Sequence, residues 1–299
     1  MSKSTVLLIG SGAVGTMAAY NLEAVLKTIP KVEEEGLSPF DYILVATKNT
    51  PDIPPTVADL VASAVTPGHT AILLLQNGLN IEKPLIQAFP NNPILSGVSL
   101  ISATETKPGS ILHDAPDDLI VGAFTNPSIP QGTSISSAER FVEMYSASGK
   151  VKCTYDADVG AVRWRKLIYN SSYNSICAIT GMDTSRLRIA EHPIEEVIRP
   201  LMREIWTIAR KAGHEIPEEV IQKMIDIDPL ETYFKPSMLQ DIEKGNYIEL
   251  ENIVGEPMRE AERLGVPAPG LKMAYGLLRI MQWKTKERRG LVVLPSKEI

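Results

Sequence analysis

The first half of the chain is a series of short apolar runs separated by amphipathic stretches. Val6–Ile9 is a compact β-rich run, and helical spacing of small and apolar residues follows over Thr16–Leu26. Tyr42–Thr47, Thr70–Leu75, Ile94–Ile101, Ser110–His113 and Leu119–Val121 read as strands, and Val57–Val65 and Ile135–Ser146 as helices. Buried strands alternating with helices predict a mostly parallel sheet with covering helices. From Ala157 onward only helical patterns appear: Ala157–Ile179, Ile194–Ala212, Pro217–Ile225, Ser237–Lys244, Glu249–Leu264 and Leu271–Gln282. Gly213, Gly245 and Gly265 stand where these helices should stop. The change of pattern near residues 153–156 divides the chain into an α/β domain, 1–154, and an all-α domain, 155–299.

The first strand runs into Gly10-Ser11-Gly12-Ala13-Val14-Gly15, and a helix opens there. In that strand–turn–helix context the G-x-G-x-x-G spacing has a physical meaning. Gly10 permits the tight turn, Gly12 lets a pyrophosphate approach the backbone, and Gly15 lets helix and strand pack closely. Free N–H groups and the helix dipole favour an anion at that point. The first domain is therefore expected to be Rossmann-like. One part is missing. A second strand should follow the first helix and end in a residue that reads the ribose. Residues 27–41, KTIPKVEEEGLSPFD, make a poor strand. Lys27 and Lys31 are candidates for a phosphate and Glu33–Glu35 for a hydroxyl, while a solvated charge run is the simpler reading.

Composition narrows the function classes. The 299 residues carry a net charge of −6 with no basic block, so a nucleic-acid partner has no electrostatic footprint. Cys153 and Cys177 make neither a disulfide framework nor a zinc site. His69, His113, His192 and His214 lack metal-ligand spacing, so no metal is expected. No apolar run reaches the length of a membrane span and no signal-peptide pattern is present, which fits a cytoplasmic protein with no membrane partner.

The second domain carries an unusual polar stripe. Lys166, Asn170 and Asn174 are spaced i, i+4, i+8 and share one helix face. Asparagine is a poor helix former, so a cleft would explain its use better than open solvent does. A lysine beside two amides suits binding and protonating a carbonyl compound, and a solvated stripe remains the alternative. Ser237-Met238-Leu239-Gln240-Asp241, followed by Glu249 and Glu251, forms a second polar group. By themselves these residues fit helix ends equally well.

Taken together, LLIGSGAVG, DYILVATKN, LLLQNGLN, RWRKLIYNSSYNSICAITG and PSMLQDIEKGNYIELENIVG resemble the ketopantoate reductase (2-dehydropantoate 2-reductase) family, particularly its fungal-type members. The resemblance runs through nearly the whole chain in the family's order. It implies that Lys166 is catalytic together with Glu249, and that Asn170, Asn174 and Ser237 bind substrate. It further implies that Gly10, Gly12, Ala13, Val14, Gly15, Lys48 and Asn77 bind the cofactor, with NADPH as reductant. About fifty residues of the family pattern are absent after Leu22–Leu26, by the length that βαβ units require, and the family's 2′-phosphate ligand falls among them.

The resemblance implies reduction of 2-dehydropantoate, or a related 2-oxo acid, to the 2-hydroxy acid, a step of pantothenate biosynthesis. Hydride would come from the nicotinamide and a proton from Lys166, with the substrate between the domains. Two alternatives stay open. One is a different 2-oxo acid, suggested by a bulky, polar Tyr169–Tyr173 segment; the other is a cofactor-impaired, non-catalytic relative. A homodimer is compatible with the helical second domain.

Overall fold

The computed structural model describes residues 4–22, 29–107, 110–147, 149–190 and 192–295. The chain divides into two compact units, Met1–Val162 and Arg163–Ile299.

In the first unit β1 (Val6–Ile9) leads into α1 (Ala13–Leu22). There follow β2 (Tyr42–Val45), α2 (Val57–Val61), β3 (Ala71–Leu74), α3 (Lys83–Ala88) and β4 (Ile94–Ser99). Then come β5 (Ser102–Lys107), β6 (Ser110–Ala115), β7 (Asp118–Ala123), α4 (Gln131–Ser146) and β8 (Lys152–Tyr155). Six strands form one sheet in the order β1-β2-β3-β4-β7-β8, with β5 and β6 a separate hairpin. Strands β1 to β4 are parallel, β7 runs antiparallel to β4, and β8 is parallel to β7. Every residue of β2, β3 and β4 is buried, as expected of strands covered on both faces. One apolar layer gathers Ile43, Ile72 and Leu85, and the other Leu44, Leu73 and Phe141.

β1 departs from this. It alternates partly buried and buried residues, and among the described residues it pairs only with β2. The dinucleotide-fold order would place two further strands beyond it. Among the described residues β1 is the edge of the sheet, and the parallel core from β1 to β4 is continuous. The charged stretch bonds within itself. The Lys31 amide donates to Glu35 Oε1 at 2.9 Å, and Lys31 Nζ bonds Glu34 at 2.8 Å. Val32 is buried, and its amide donates to the carbonyl of Ser63. Lys27 lies outside the described residues, as does the end of the expected first helix beyond Leu22.

α5 (Val159–Tyr169) leads into the second unit and continues through a π-helical turn, Asn170–Asn174, into α6 (Ser175–Thr180). Then come α7 (Thr184–Ile189), a second π turn at Ile194–Ile198, α8 (Arg199–Lys211), α9 (Val220–Asp226) and α10 (Ser237–Glu243). A third π turn, Glu251–Gly255, opens α11 (Glu256–Leu264), and α12 (Pro269–Arg288) ends the bundle. α8 supplies the centre of this core with Leu201, Met202, Ile205, Ile208 and Ala209. The stops at Gly213, Gly245 and Gly265 adopt φ of +101°, +69° and +67°, where a side chain would be strained.

Four elements differ from the expectation. β5 (SATETK) and β8 (KCTY) are polar edge strands without an apolar run. α3 and α7 are six residues each, too short to show a period.

Candidate active site

The parallel register brings three loops to one edge of the first unit. Ile9 pairs with Val45 and Val45 with Leu74, so the chain leaves β1, β2 and β3 side by side. The departing residues are Gly10, then Thr47 and Lys48, then Gln76 and Asn77. Gln76 Nε2 donates to the Thr47 carbonyl at 2.9 Å and to its hydroxyl at 3.1 Å, which ties two of the loops together.

The glycines of the turn are not equivalent. Gly10 sits at φ +116°, and a Cβ there would meet the Ala46 carbonyl carbon at 2.7 Å. A Cβ on Gly15 would lie 2.0 Å from the Gly10 oxygen. Both positions are closed by the protein's own backbone. A Cβ on Gly12 would meet nothing within 4 Å, and Gly12 is exposed. The one glycine the fold does not require is thus the one a pyrophosphate would need bare. α1 has no acid in its first turn, so nothing there competes with an anion. Ala13 and Val14 open the helix, partly buried beneath the turn. These residues fit a dinucleotide.

In the second unit the polar stripe is assembled by an irregularity that spacing alone does not show. Four residues of α-helix advance about 40° beyond a full turn, whereas four residues of a π turn fall short of one by about 30°. The step from Lys166 to Asn170 begins in α-helix, and the step from Asn170 to Asn174 is π-helical. The two deviations nearly cancel, and Asn174 returns to the line of Lys166. The Ser171 hydroxyl donates to the Ile253 carbonyl at 2.6 Å, joining this π turn to the one after Glu249. Asn174 Nδ2 donates to Ser237 Oγ at 3.4 Å, bringing in the start of α10. Asn170, Asn174 and Glu249 are all buried. Asn174 Oδ1 is buried and accepts no hydrogen bond among the described residues. An acceptor so placed costs about 1–3 kcal/mol unless something fills it.

Electrostatics set the character of Lys166. Burial pulls its proton affinity down, the nearby positive charge of Arg163 pulls it further, and Glu249 opposes both; the pKa settles at about 8. An ammonium so placed is still mostly protonated at neutral pH and releases its proton readily. Arg163, itself buried, lies one helical turn before Lys166 and was not singled out from the sequence. Extending the stripe backward by i−3 would have included it. Asp241 and Asn252 are likewise buried polar residues of this unit.

The Tyr169–Tyr173 segment is a correction to the sequence reading. Its serines do not offer hydroxyls to a ligand: Ser171 bonds Ile253, and Ser172 Oγ donates to the Ile168 carbonyl at 2.5 Å. Tyr173 is fully buried, and its hydroxyl donates to the Ile225 carbonyl at 3.3 Å. Tyr169 donates to Asp228 at 2.5 Å. Apart from Asn170, the side chains of this segment are internal scaffolding, and their bulk gives no argument for an unusual substrate.

A sheet whose glycine turn fits a dinucleotide, followed by a helical unit that sets a half-buried lysine among buried amides, defines a class: a two-part dinucleotide-dependent oxidoreductase. Comparison with known proteins specifies it. Residues 158–282 match the C-terminal model of ketopantoate reductase PanE/ApbA, and residues 23–126 match its N-terminal counterpart. An uncharacterized protein of Saccharomyces cerevisiae is 39% identical, over 86% of this chain and 76% of its own. The crystal structure of 2-dehydropantoate 2-reductase from Methylococcus capsulatus superposes with a TM-score of 0.76 at 25% identity, covering 94% of this chain and 97% of that one. A D-mandelate dehydrogenase, solved with NADH and anilino(oxo)acetate, shares the fold at a TM-score of 0.77 and 18% identity, over 94% and 99% of the two chains. The chain belongs to the ketopantoate reductase family of oxidoreductases. The glycine turn lies outside the span matched by the N-terminal model.

Proposed function

We propose that this protein reduces a 2-oxo acid to the 2-hydroxy acid with a reduced nicotinamide dinucleotide, and that 2-dehydropantoate with NADPH is the first pair to test. The observation that carries the reading is Lys166, held at a pKa of about 8 within the patch of Asn170, Asn174, Ser237 and Glu249. Gly10, Gly12, Ala13, Val14 and Gly15 would hold the pyrophosphate, with Lys48 and Asn77 on the neighbouring loops. The bound dinucleotide supplies a hydride to a carbonyl carbon.

The chain's own residues do the rest. Lys166 donates a hydrogen bond to the ketone oxygen, stabilises the negative charge that grows there, and transfers its proton to give the alcohol. Glu249 counters the pull of Arg163 and keeps Lys166 protonated until that point. Asn174 and Ser237 bind the polar groups next to the ketone; Asn174 Oδ1 is the buried acceptor that a substrate hydroxyl would satisfy. Asn170, a turn beyond Lys166, holds the substrate on the same face.

Two observations favour variants of this reading. The neighbour solved with anilino(oxo)acetate shows that the fold accommodates other 2-oxo compounds and NADH in that protein. Among the described residues no strand lies beyond β1, where the fold's reader of the 2′-phosphate would stand, so NADH is the alternative to NADPH. The same edge position keeps a cofactor-impaired relative in view.

The test is a fluorescence titration of the full chain with NADPH and with NADH, followed by turnover on a panel of 2-oxo acids that includes 2-dehydropantoate. Micromolar binding and reduction of at least one acid are expected. Binding of both dinucleotides weaker than about 1 mM would favour the impaired relative. Tight binding without turnover on any 2-oxo acid would refute the substrate class.

A further inference from the structure

α12 buries Leu271, Ala274 and Leu278 along one face, and the same face continues through Gln282 and Thr285. Apolar packing alone would be served by a leucine at 282. A glutamine only 2% exposed is costly unless both ends of its amide are bonded. Here Gln282 Oε1 accepts from the Ile248 amide at 3.1 Å, and Nε2 donates to the Ile248 carbonyl at 3.2 Å. The side chain thus exchanges two hydrogen bonds with one backbone residue, as a neighbouring strand would.

That residue stands immediately before Glu249. Residues 246–249 belong to no helix or strand, and Ile248 is fully buried, so its backbone groups have neither a ladder nor water to bond. Gln282 supplies a partner to each. The carbonyl it holds lies in the peptide plane that joins Ile248 to Glu249. Holding that plane constrains ψ of Ile248 and φ of Glu249, and with them the direction in which the Glu249 side chain leaves the backbone. Beyond Glu249, its own carbonyl accepts from the Ile253 amide at 3.2 Å.

Other side chains of the same helix grip the segment on either side. Arg289, one residue past α12, donates to the Gly245 carbonyl and to Asn246 Oδ1, both at 3.0 Å. Its guanidinium lies 4.9 Å from the centroid of the Tyr247 ring. Tyr275 donates its hydroxyl to the Glu251 carboxylate at 2.8 Å. Glu249 lies between these held points. Packing of α12 needs only apolar contact; it does not need polar side chains that converge on a backbone stretch without secondary structure.

We propose that Gln282 is a positioning residue: by holding the peptide plane before Glu249 it aims that carboxylate at Lys166, with Arg289 and Tyr275 steadying the segment on either side. The inference rests on the reading of Lys166 as the acid and Glu249 as its partner. Gln282 itself touches neither substrate nor cofactor in that scheme.

The test follows the titration of Lys166 by NMR in the full chain carrying 13C-labelled lysine, without dinucleotide, with Lys166 assigned by its loss in Lys166→Arg. The charges that act on Lys166 are those of Arg163 and Glu249, and Glu249 favours the protonated form. Glu249→Gln should therefore lower the midpoint, by about one pH unit. Gln282→Met, similar in volume but unable to bond Ile248, should move it the same way by at least about half as much. In turnover, Gln282→Met should lower kcat about tenfold and leave dinucleotide affinity within about twofold. Leu278→Ala, buried on the same face, should lower the melting temperature and leave the midpoint where it is. Arg289→Met changes an exposed residue, so it tests the segment even if Gln282→Met fails to fold; it should move the midpoint in the same direction by a smaller amount. The proposal is overturned if Glu249→Gln moves the midpoint and the folded Gln282→Met does not, or if Leu278→Ala moves it as far as Gln282→Met. If Gln282→Met does not fold, an unmoved midpoint in Arg289→Met overturns it. Absence of turnover in the unaltered chain would strike the proposed function instead, and the midpoints would still decide whether Gln282 aims Glu249.

Discussion

The glycine edge of the first unit and the polar patch of the second would recognise their proposed ligands by opposite means. The first is almost all backbone: three glycines, the N–H groups at the start of α1, and loops aligned by a parallel register. The second is almost all side chain: buried asparagines, a glutamate and a lysine, brought together by π turns and by the Ser171–Ile253 and Asn174–Ser237 bonds. A backbone site tolerates loss of neighbouring chain, because its geometry comes from strand and turn. A side-chain patch does not, since each member depends on the packing of the others. Both units match their family models, the first over residues 23–126 and the helical one over residues 158–282.

The comparison can be broken most sharply at Lys166. Lys166→Ala should lower turnover about a hundredfold or more while leaving dinucleotide affinity within about twofold. Unchanged turnover would remove the assignment, and a parallel loss of cofactor affinity would mean that the two regions are not separable. Gly15→Ala and Gly12→Ala probe the other side. Gly15→Ala forces a clash with the Gly10 carbonyl and should destabilise the first unit by several kcal/mol, read as a fall in melting temperature. Gly12→Ala should melt like the unaltered protein, yet bind dinucleotide at least about tenfold more weakly. Equal melting of the two variants would contradict the division of labour within the turn.

A pH profile sharpens the same contrast. Lys166 must be protonated to act as an acid, so the rate of ketone reduction should fall as pH rises through about 8. Dinucleotide binding at the glycine edge should not follow that limb. The stability effect has the opposite sign. Between about 8 and the ordinary lysine value of 10.5, the unfolded chain binds the proton that the folded chain has lost. Stability therefore rises with pH across that window. Below it, Lys166→Met should be the more stable protein, by at most about 3 kcal/mol, with the difference shrinking toward pH 10.5. The smallest effect is expected at Asn174. Asn174→Leu removes the buried acceptor that has no donor, so the unliganded protein should lose little stability, while KM rises about tenfold. A large drop in melting temperature would instead make Asn174 a structural residue.

Much of this was legible in the chain itself. Continuous apolar runs such as YILV and AILL mark buried strands whatever their neighbours do, because both faces must be covered. The glycine spacing after Val6–Ile9 is local chemistry, and so are the helix stops at Gly213, Gly245 and Gly265. Lys166, Asn170 and Asn174 stand out because asparagine is costly on a helix without a partner. β5 and β8 were hidden because polar edge strands carry no apolar run, and α3 and α7 because six residues show no period. Arg163 was missed because a single arginine near a helix start is ordinary until its burial is known.

Local sequence thus determined the apolar strands and the longer helices, where the glycine turn lies, and which residue types are candidates for the chemistry; each of these rests on interactions within a few neighbours. Tertiary structure alone decided the rest. The edge position of β1, the π turn that brings Asn174 back into line with Lys166, and the lysine's lowered proton affinity all depend on burial and on partners far along the chain. Those long-range terms are set by packing, and no short window of sequence contains them.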